Sequence, residues 1–314
     1  MMSFAAEVKK ELTGRIVSDD AAKPELAALL QMNGVTTLGF EQEIRVQTDN
    51  PAIARRIFSL IRQSYPAADV DFNVKQQFAL SEHKVVTVVL HSQVEEILED
   101  LGVDPFGLDQ SVPAWLLNTE DKRAAFLRGA FLAAGSVNSP ERSNYHLEIS
   151  TGQEGLAEQL LDLIQDFLMP VKMINRSKHY VLYMKRSDKI VEFMKLIGAT
   201  ATMLRFEDVR LAKDMRNSAN RMMNADMANL QKVANAANAQ VQTILTIQSE
   251  IGDLEELPAK LADFARARLE HPDASLTEIG DYLEISKSGA NHRMRKLKEL
   301  AKQIDEGTFQ IDQL

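Results

Sequence analysis

The sequence predicts an α+β protein in which an α-β-β-α-β-β-α unit occurs twice, followed by an all-α segment that holds a helix-turn-helix. Three observations predict it. Helical and strand periodicities succeed one another in the same order twice, at an offset of roughly 100 residues, too long for a solenoid and suited to a duplicated domain. Near the C-terminus a short helix, a three- to four-residue turn and a longer helix follow in succession. With 314 residues, 45% hydrophobic and 26% charged, the chain can bury a sizeable core without covalent staples.

The first repeat opens with a helix from Pro24 to Gly34, where Pro takes a first helical position, Leu26, Leu29 and Leu30 recur at helical spacing and Gly terminates. Val35 to Phe40 and Ile44 to Thr48 read as strands. Pro51 to Ser64 is helical, with Ile53, Ile57, Leu60 and Ile61 on one face. Asp69 to Phe78 and Lys84 to Leu90 alternate or run apolar and β-branched and read as strands, and Val94 to Leu101 closes the unit before Gly102.

The second repeat opens with a helix capped by Thr119 and ended at Gly135. Ser136 to Asn138 and Tyr145 to Thr151 read as strands, Gln153 to Leu168 as an amphipathic helix, Val171 to Asn175 and Tyr180 to Lys185 as strands, and Asp188 to Ile197 as a helix stopped by Gly198. From Arg205 to Gly252 Asn, Ala, Met and Gln dominate and helix is expected. There Met223, Leu230, Ala237, Ile244 and Ile251 fall seven apart, with Met227, Ala234 and Val241 between them. The packed face of a helix is the preferred reading, ahead of a coiled-coil seam. The expected division is 1–102 and 103–204 for the repeats, 205–257 for a helical linker and 258–314 for the helix-turn-helix domain.

Composition excludes several functions. There is no Cys, so disulfides and cysteine-ligated zinc are out. The six His show no metal-ligand spacing, and no Walker or dinucleotide glycine pattern occurs, so no cofactor is expected. No signal peptide or membrane-length apolar run is seen, which predicts a cytoplasmic protein with no membrane partner. Trp115 and the Met-rich stretches are expected in the core. The net charge of −9 disfavours nucleic acid for the chain as a whole. Its distribution does not: His91 to Asp121 carries eight acids and no Lys or Arg, Val171 to Met223 twelve bases against five acids, and Lys287 to Lys302 six against one. Screening confines each charge to roughly 8–10 Å, so a local basic face can engage phosphates.

That last basic stretch lies in the helix-turn-helix. Pro258 to Glu270 is a helix; Ser275-Leu276-Thr277-Glu278 forms a capping box opening a short helix to Leu283; Ser286 caps a longer one, with Ala290, Met294, Leu297 and Leu300 at core spacing. A second helix so held is the element laid in a major groove. Lys287 and Ser288 sit at its exposed N-terminus, Asn291, His292 and Arg295 are placed for base edges, and Arg293, Lys296 and Lys298 for phosphates, with Ser275, Thr277 and Ser286 at the helix starts. Double-stranded DNA is the expected partner.

Leu26 to Gly34 and Leu127-Arg128-Gly129-Ala130-Phe131-Leu132-Ala133-Ala134-Gly135 both resemble the LAGLIDADG motif of homing endonucleases, and Ala27, Ala28, Gly129, Ala130 and Ala133 are small enough for close helix packing. Over nearly its whole length the chain resembles the WhiA family of bacterial regulators. The strings that carry this are Ser3 to Leu12, Leu127 to Val137, Leu204 to Arg210 with Asp214 to Ser218, and Ile285 to Arg293. The resemblance implies a DNA-binding regulator linked to cell division, chromosome segregation and sporulation, associated with the nucleoid; proteins of the transcription or division machinery stay open as partners. It also implies where a catalytic metal would sit, at the acid before each motif's final Gly. Asn33 and Ala134 stand there, so neither supplies a carboxylate and no strand cleavage is expected. The strands carry Arg45, Lys75, Lys84, Lys172, Arg176 and Lys185 but also Asp69 and Asp71, which leaves DNA contact by the repeats balanced against a scaffold role. Arg205, Arg210, Arg216 and Arg221 read equally as a basic helix face or as ion-pair partners of Glu207, Asp208 and Asp214. Within the turn, Gly280 stands where such motifs usually carry Ala and Glu284 where they usually carry Gly, so a left-handed Glu284 or a reshaped turn is expected.

Overall fold

A computed structural model describes residues 2–33, 36–38, 43–76, 84–104, 112–177 and 179–308. The chain forms two compact units, Met1–Lys213 and Asp214–Leu314.

The first unit begins with α1 (Phe4–Thr13), capped by Ser3, whose face of Phe4, Val8 and Leu12 is buried. The first repeat is α2 (Asp19–Asn33), β1 (Thr36–Leu38), β2 (Glu43–Thr48), α3 (Pro51–Ser64), β3 (Val70–Gln76), β4 (Lys84–Leu90) and α4 (Val94–Leu101). The second is α5 (Glu120–Ala134), β5 (Gly135–Val137), β6 (Leu147–Thr151), α6 (Glu154–Asp166), β7 (Lys172–Arg176), β8 (His179–Met184) and α7 (Ser187–Ile197). Both therefore follow the α-β-β-α-β-β-α order. Their antiparallel sheets have matching orders, β1-β2-β4-β3 and β5-β6-β8-β7. Gly34, Val35, Gly39, Phe40, Gln77 and Phe78, which the sequence assigned to a helix end and two strands, lie outside the described residues.

The two opening helices form the centre of this unit. Gly129 on α5 lies so close to α2 that an added Cβ would stand 2.4 Å from the Glu25 carbonyl oxygen and 2.8 Å from Ala28 Cβ. Small residues thus permit the helix approach, as their pattern suggested. Between the helices lies a buried ionic triad that sequence reading missed. Glu25, fully buried, accepts from Arg56 on α3 at 2.6 and 2.9 Å and from Arg128 on α5 at 2.8 Å. A buried carboxylate costs several kcal/mol of desolvation unless paired, and here two guanidiniums from different repeats pair it.

Some boundaries differ from expectation. α2 starts at Asp19, and Pro24 lies within it. The acids Asp19 and Asp20 suit a helix N-terminus, and burial of Ala21 and Ala22 extends the helix past the hydrogen bond that Pro removes. Trp115, expected in the core, is 44% exposed in a 3-10 turn whose buried residue is Leu116.

Helix α8 runs Thr200–Ile251 and has members in both units. Its start is capped from a distance: the Glu11 carboxylate accepts from the backbone N–H of Ala201 at 2.7 Å and of Thr202 at 2.9 Å. Phe206 is buried against Phe4 and Tyr145, which keeps the beginning of α8 in the first unit, past residue 204 where the sequence suggested a boundary.

The second unit packs the end of α8 against α9 (Ala259–Glu270), α10 (Leu276–Tyr282) and α11 (Lys287–Asp305). Its core joins Ile244 and Ile247 of α8 to Leu261, Phe264, Ile279, Ala290, Met294 and Leu297. The seven-residue pattern of α8 is therefore a packed face only from Ala237 onward. Met223, Met227 and Leu230, expected to be buried, are 60–66% exposed, because none of the core of this unit reaches them. No helix among the described residues is long and apolar enough to cross a membrane.

Candidate nucleic-acid interface

The helix-turn-helix is α10 and α11. The Ser275 side chain accepts from the N–H of Glu278 at 3.2 Å, and the Glu278 carboxylate accepts from the N–H of Ser275 at 2.7 Å. This reciprocal box fixes where α10 begins. These bonds stabilise the charged carboxylate, so the Glu278 pKa lies below the ordinary glutamate range, first through the backbone bond from Ser275. Ser286 caps α11 by accepting from Gly289 N–H at 3.1 Å.

The turn takes the shape that the sequence left open. Glu284 adopts φ +52°, the left-handed conformation usually given to Gly. Ile285 N–H then bonds the Gly280 carbonyl at 2.8 Å. Gly280 is needed in return: a Cβ there would lie 2.8 Å from the Ile285 carbonyl oxygen. The two departures from the usual motif occur in one tight turn, where Gly280 makes room for the backbone beyond Glu284.

Arg268, which sequence reading passed over, holds the other side of the motif. It is fully buried at the end of α9, and its Nη1 donates to the carbonyls of His271, Pro272 and Ala274. These carbonyls line the loop that follows α9, where the His271 carbonyl also accepts from the N–H of Ala274 at 3.2 Å, and a base in a last helical turn is the sequence signal for such a contact. Burial lowers the Arg268 pKa, opposed by Glu278. His271 stacks on Tyr282 at 4.2 Å, which ties the loop to α10.

On this frame α11 buries Ala290, Met294, Leu297 and Ala301, packs Leu300 and Ile304 partly against the same core and turns most of its polar residues outward. A groove of about 450 Å³ gathers Ser288, Asn291, His292, Arg295 and Lys298, walled by Leu276 and by Gln240 of α8. An adjoining hollow of about 250 Å³ gathers Ser275, Thr277 and Lys287, with Lys232 and Arg268. Eight of the eleven predicted site residues thus fall into two neighbouring groups. Ser286 is committed to its cap, while Lys296 is exposed and Arg293 half-buried, both outside these hollows. Gln240, missed in the sequence, is buried, and its Oε1 has no hydrogen-bond partner.

The outward polar side chains of α11 are lightly held. Asn291 Nδ2 donates to the Lys287 carbonyl at 3.0 Å. Arg295 meets His292 Nδ1 at 3.1 Å and Glu299 at 3.8 Å, with Arg295 and Glu299 both about two-thirds exposed. Exposed pairs of this kind contribute about 0–1 kcal/mol, so a duplex can displace them at little cost.

In the first unit Asn33 and Ala134 are the last residues of the two central helices. Asn33 turns back, donating to the Leu29 carbonyl at 2.7 Å. On the sheets Arg45 pairs with Glu43 at 2.9 Å and Lys185 lies 5.3 Å from the Tyr183 ring centre. Lys172 and Arg176 are exposed; the side chains of Lys75 and Lys84 lie outside the described residues. His91 bridges Glu43 and Asp71 at 2.9 and 3.2 Å, so acids stand among the bases of this surface. Arg205 pairs with Glu7 at 2.6 Å and Arg210 with Glu207.

The sequence matches three family models: the WhiA N-terminal LAGLIDADG-like domain over residues 19–104, the WhiA LAGLIDADG-like domain over 123–216 and the WhiA C-terminal HTH domain over 219–301. A relative from Leuconostoc citreum, named "Probable cell division protein WhiA", is 59% identical over 100% of both chains. One of the same name from Limosilactobacillus fermentum is 46% identical over 98% of this chain and 99% of its own. The crystal structure of full-length DUF199/WhiA from Thermatoga maritima shares the fold with a TM-score of 0.58, at 24% identity, over 96% of this chain and 98% of that one.

Proposed function

The chain belongs to the WhiA family, and from that premise we propose that it is a duplex-DNA-binding transcriptional regulator of cell division that catalyses no reaction. α11 enters the major groove. Asn291, His292 and Arg295 read base edges; Lys287, Ser288, Arg293, Lys296 and Lys298 hold phosphates, and Ser275, Thr277 and Ser286 add contacts at the helix starts. The observation that carries this reading is the groove that collects Ser288, Asn291, His292, Arg295 and Lys298 along one exposed side of a capped, core-anchored helix.

The duplicated unit serves as a scaffold. Metal-assisted phosphodiester cleavage requires hard oxygen ligands, and the positions from which the endonuclease motif supplies them are Asn33 and Ala134. Action at the nucleoid in the cytoplasm, a part in chromosome segregation and, where the host sporulates, in sporulation belong to the same reading.

The test is selection of genomic fragments by the full chain, followed by competition binding as salt rises. A shared site should emerge whose preference over random duplex persists while overall affinity falls. Arg295→Ala should weaken that site by about 1–3 kcal/mol and relax one base position. Preference and affinity lost together would instead favour a nonspecific nucleoid scaffold, the alternative that the net charge of −9 makes less favourable.

A further inference from the structure

Every residue from Asp214 to Ala236 of α8 is exposed, although the segment is not polar all round. Met215, Met222, Met223, Met227, Leu230 and Val233 fall on one side by helical spacing, at 39–74% exposure. The same stripe continues through Ala237, Ile244 and Ile247, where it is the seam buried against the helix-turn-helix core. One face of one helix is thus bare from Met215 to Val233 and buried from Ala237 onward. Helices without tertiary packing are marginal in water, and most helical stability comes from burying such a face.

We propose that this stripe pairs with its counterpart on a second copy of the chain, in an antiparallel two-fold contact. Area and charge both argue for a second copy. Six long apolar side chains at these exposures present on the order of 700 Å² per copy, close to the roughly 800 Å² per partner of a standard interface. Two charges fall within the stripe by helical periodicity, Arg216 near one end and Asp226 beyond its middle; Arg221 and Lys232 fall on the opposite face. A parallel in-register pair would set Asp226 beside the partner's Asp226. An antiparallel pair centred near Met222 and Met223 separates the two acids and carries each toward the partner's Arg216. Such a contact is isologous and closes at two copies. Methionine suits it, since its flexible thioether adapts to an imperfect opposing surface.

Sedimentation equilibrium of the full chain without DNA should show a monomer–dimer equilibrium across micromolar concentrations. Met223→Lys/Met227→Lys should remain monomeric with unchanged helical circular dichroism. Because the chain contains no Cys, single cysteines report orientation cleanly. Met223→Cys should crosslink to its own copy under mild oxidation, and Met215→Cys should not. A wild-type chain that stays monomeric throughout, a lysine variant that dimerises as the wild type does, or Met215→Cys that self-crosslinks as readily as Met223→Cys would each overturn the proposal. DNA is absent from these measurements, so their outcome is separate from whether α11 reads a duplex.

Discussion

Glu25 has zero exposure and two guanidiniums within hydrogen-bond distance, one from its own repeat and one from the other. Removing the carboxylate leaves both cations buried and uncompensated. Glu25→Ala is expected to destabilise the first unit by about 3–5 kcal/mol in urea unfolding, far beyond an average surface change. Glu278 acts at the opposite extreme, on the surface. Its folded pKa lies below the ordinary value of about 4.5, through the backbone bond from Ser275. Its contribution is therefore complete above that value and is lost as pH falls through the depressed folded value. Melting of the second unit between about pH 5 and pH 2 should show a small acid-side loss of stability that Glu278→Gln removes. The two residues also differ in legibility. Glu278 was found from the Ser-x-x-Glu spacing, a local signal. The partners of Glu25 come from α3 and α5, and no periodicity in one chain identifies such a distant pair.

At the level of elements, the turn between α10 and α11 is the place where two unusual residues meet. A non-glycine residue in the left-handed region costs roughly 1 kcal/mol. Glu284→Gly should therefore stabilise the second unit by about 0.5–1 kcal/mol, read from the shift in its thermal midpoint, with no change in DNA affinity. Gly280→Ala should do the reverse, since its methyl would meet the Ile285 carbonyl. Amphipathic helices, strands and caps were legible because they depend on neighbours in sequence: Pro51–Ser64, Lys84–Leu90 and Val94–Leu101 lie where periodicity and punctuation put them. Burial was less so. Apolar spacing marked Met223, Met227 and Leu230 as a face, but a face becomes a core only where something packs on it. Trp115 and the exposed methionines lacked that partner, and α1 was not drawn as an element at all, since its buried face depends on long-range contacts such as Phe4 with Phe206.

For the whole molecule, an acidic chain can still bind a polyanion because its charges are segregated. Six bases against one acid lie between Lys287 and Lys302, on the helix whose other face is locked into the core. The groove was legible in outline, since the outward residues of α11 follow from its core spacing. The wall that α8 supplies through Gln240 was not, because the sequence had set that segment apart as a linker. The central claim is that the outward face of α11 carries the affinity for duplex DNA. It is tested most directly by the salt dependence of binding in the full chain and in Lys287→Gln/Lys296→Gln/Lys298→Gln. If the three lysines hold phosphates, affinity falls sharply and the slope of log K against log salt becomes shallower by about 3. An unchanged affinity with an unchanged slope, in a variant that remains folded, would contradict the account.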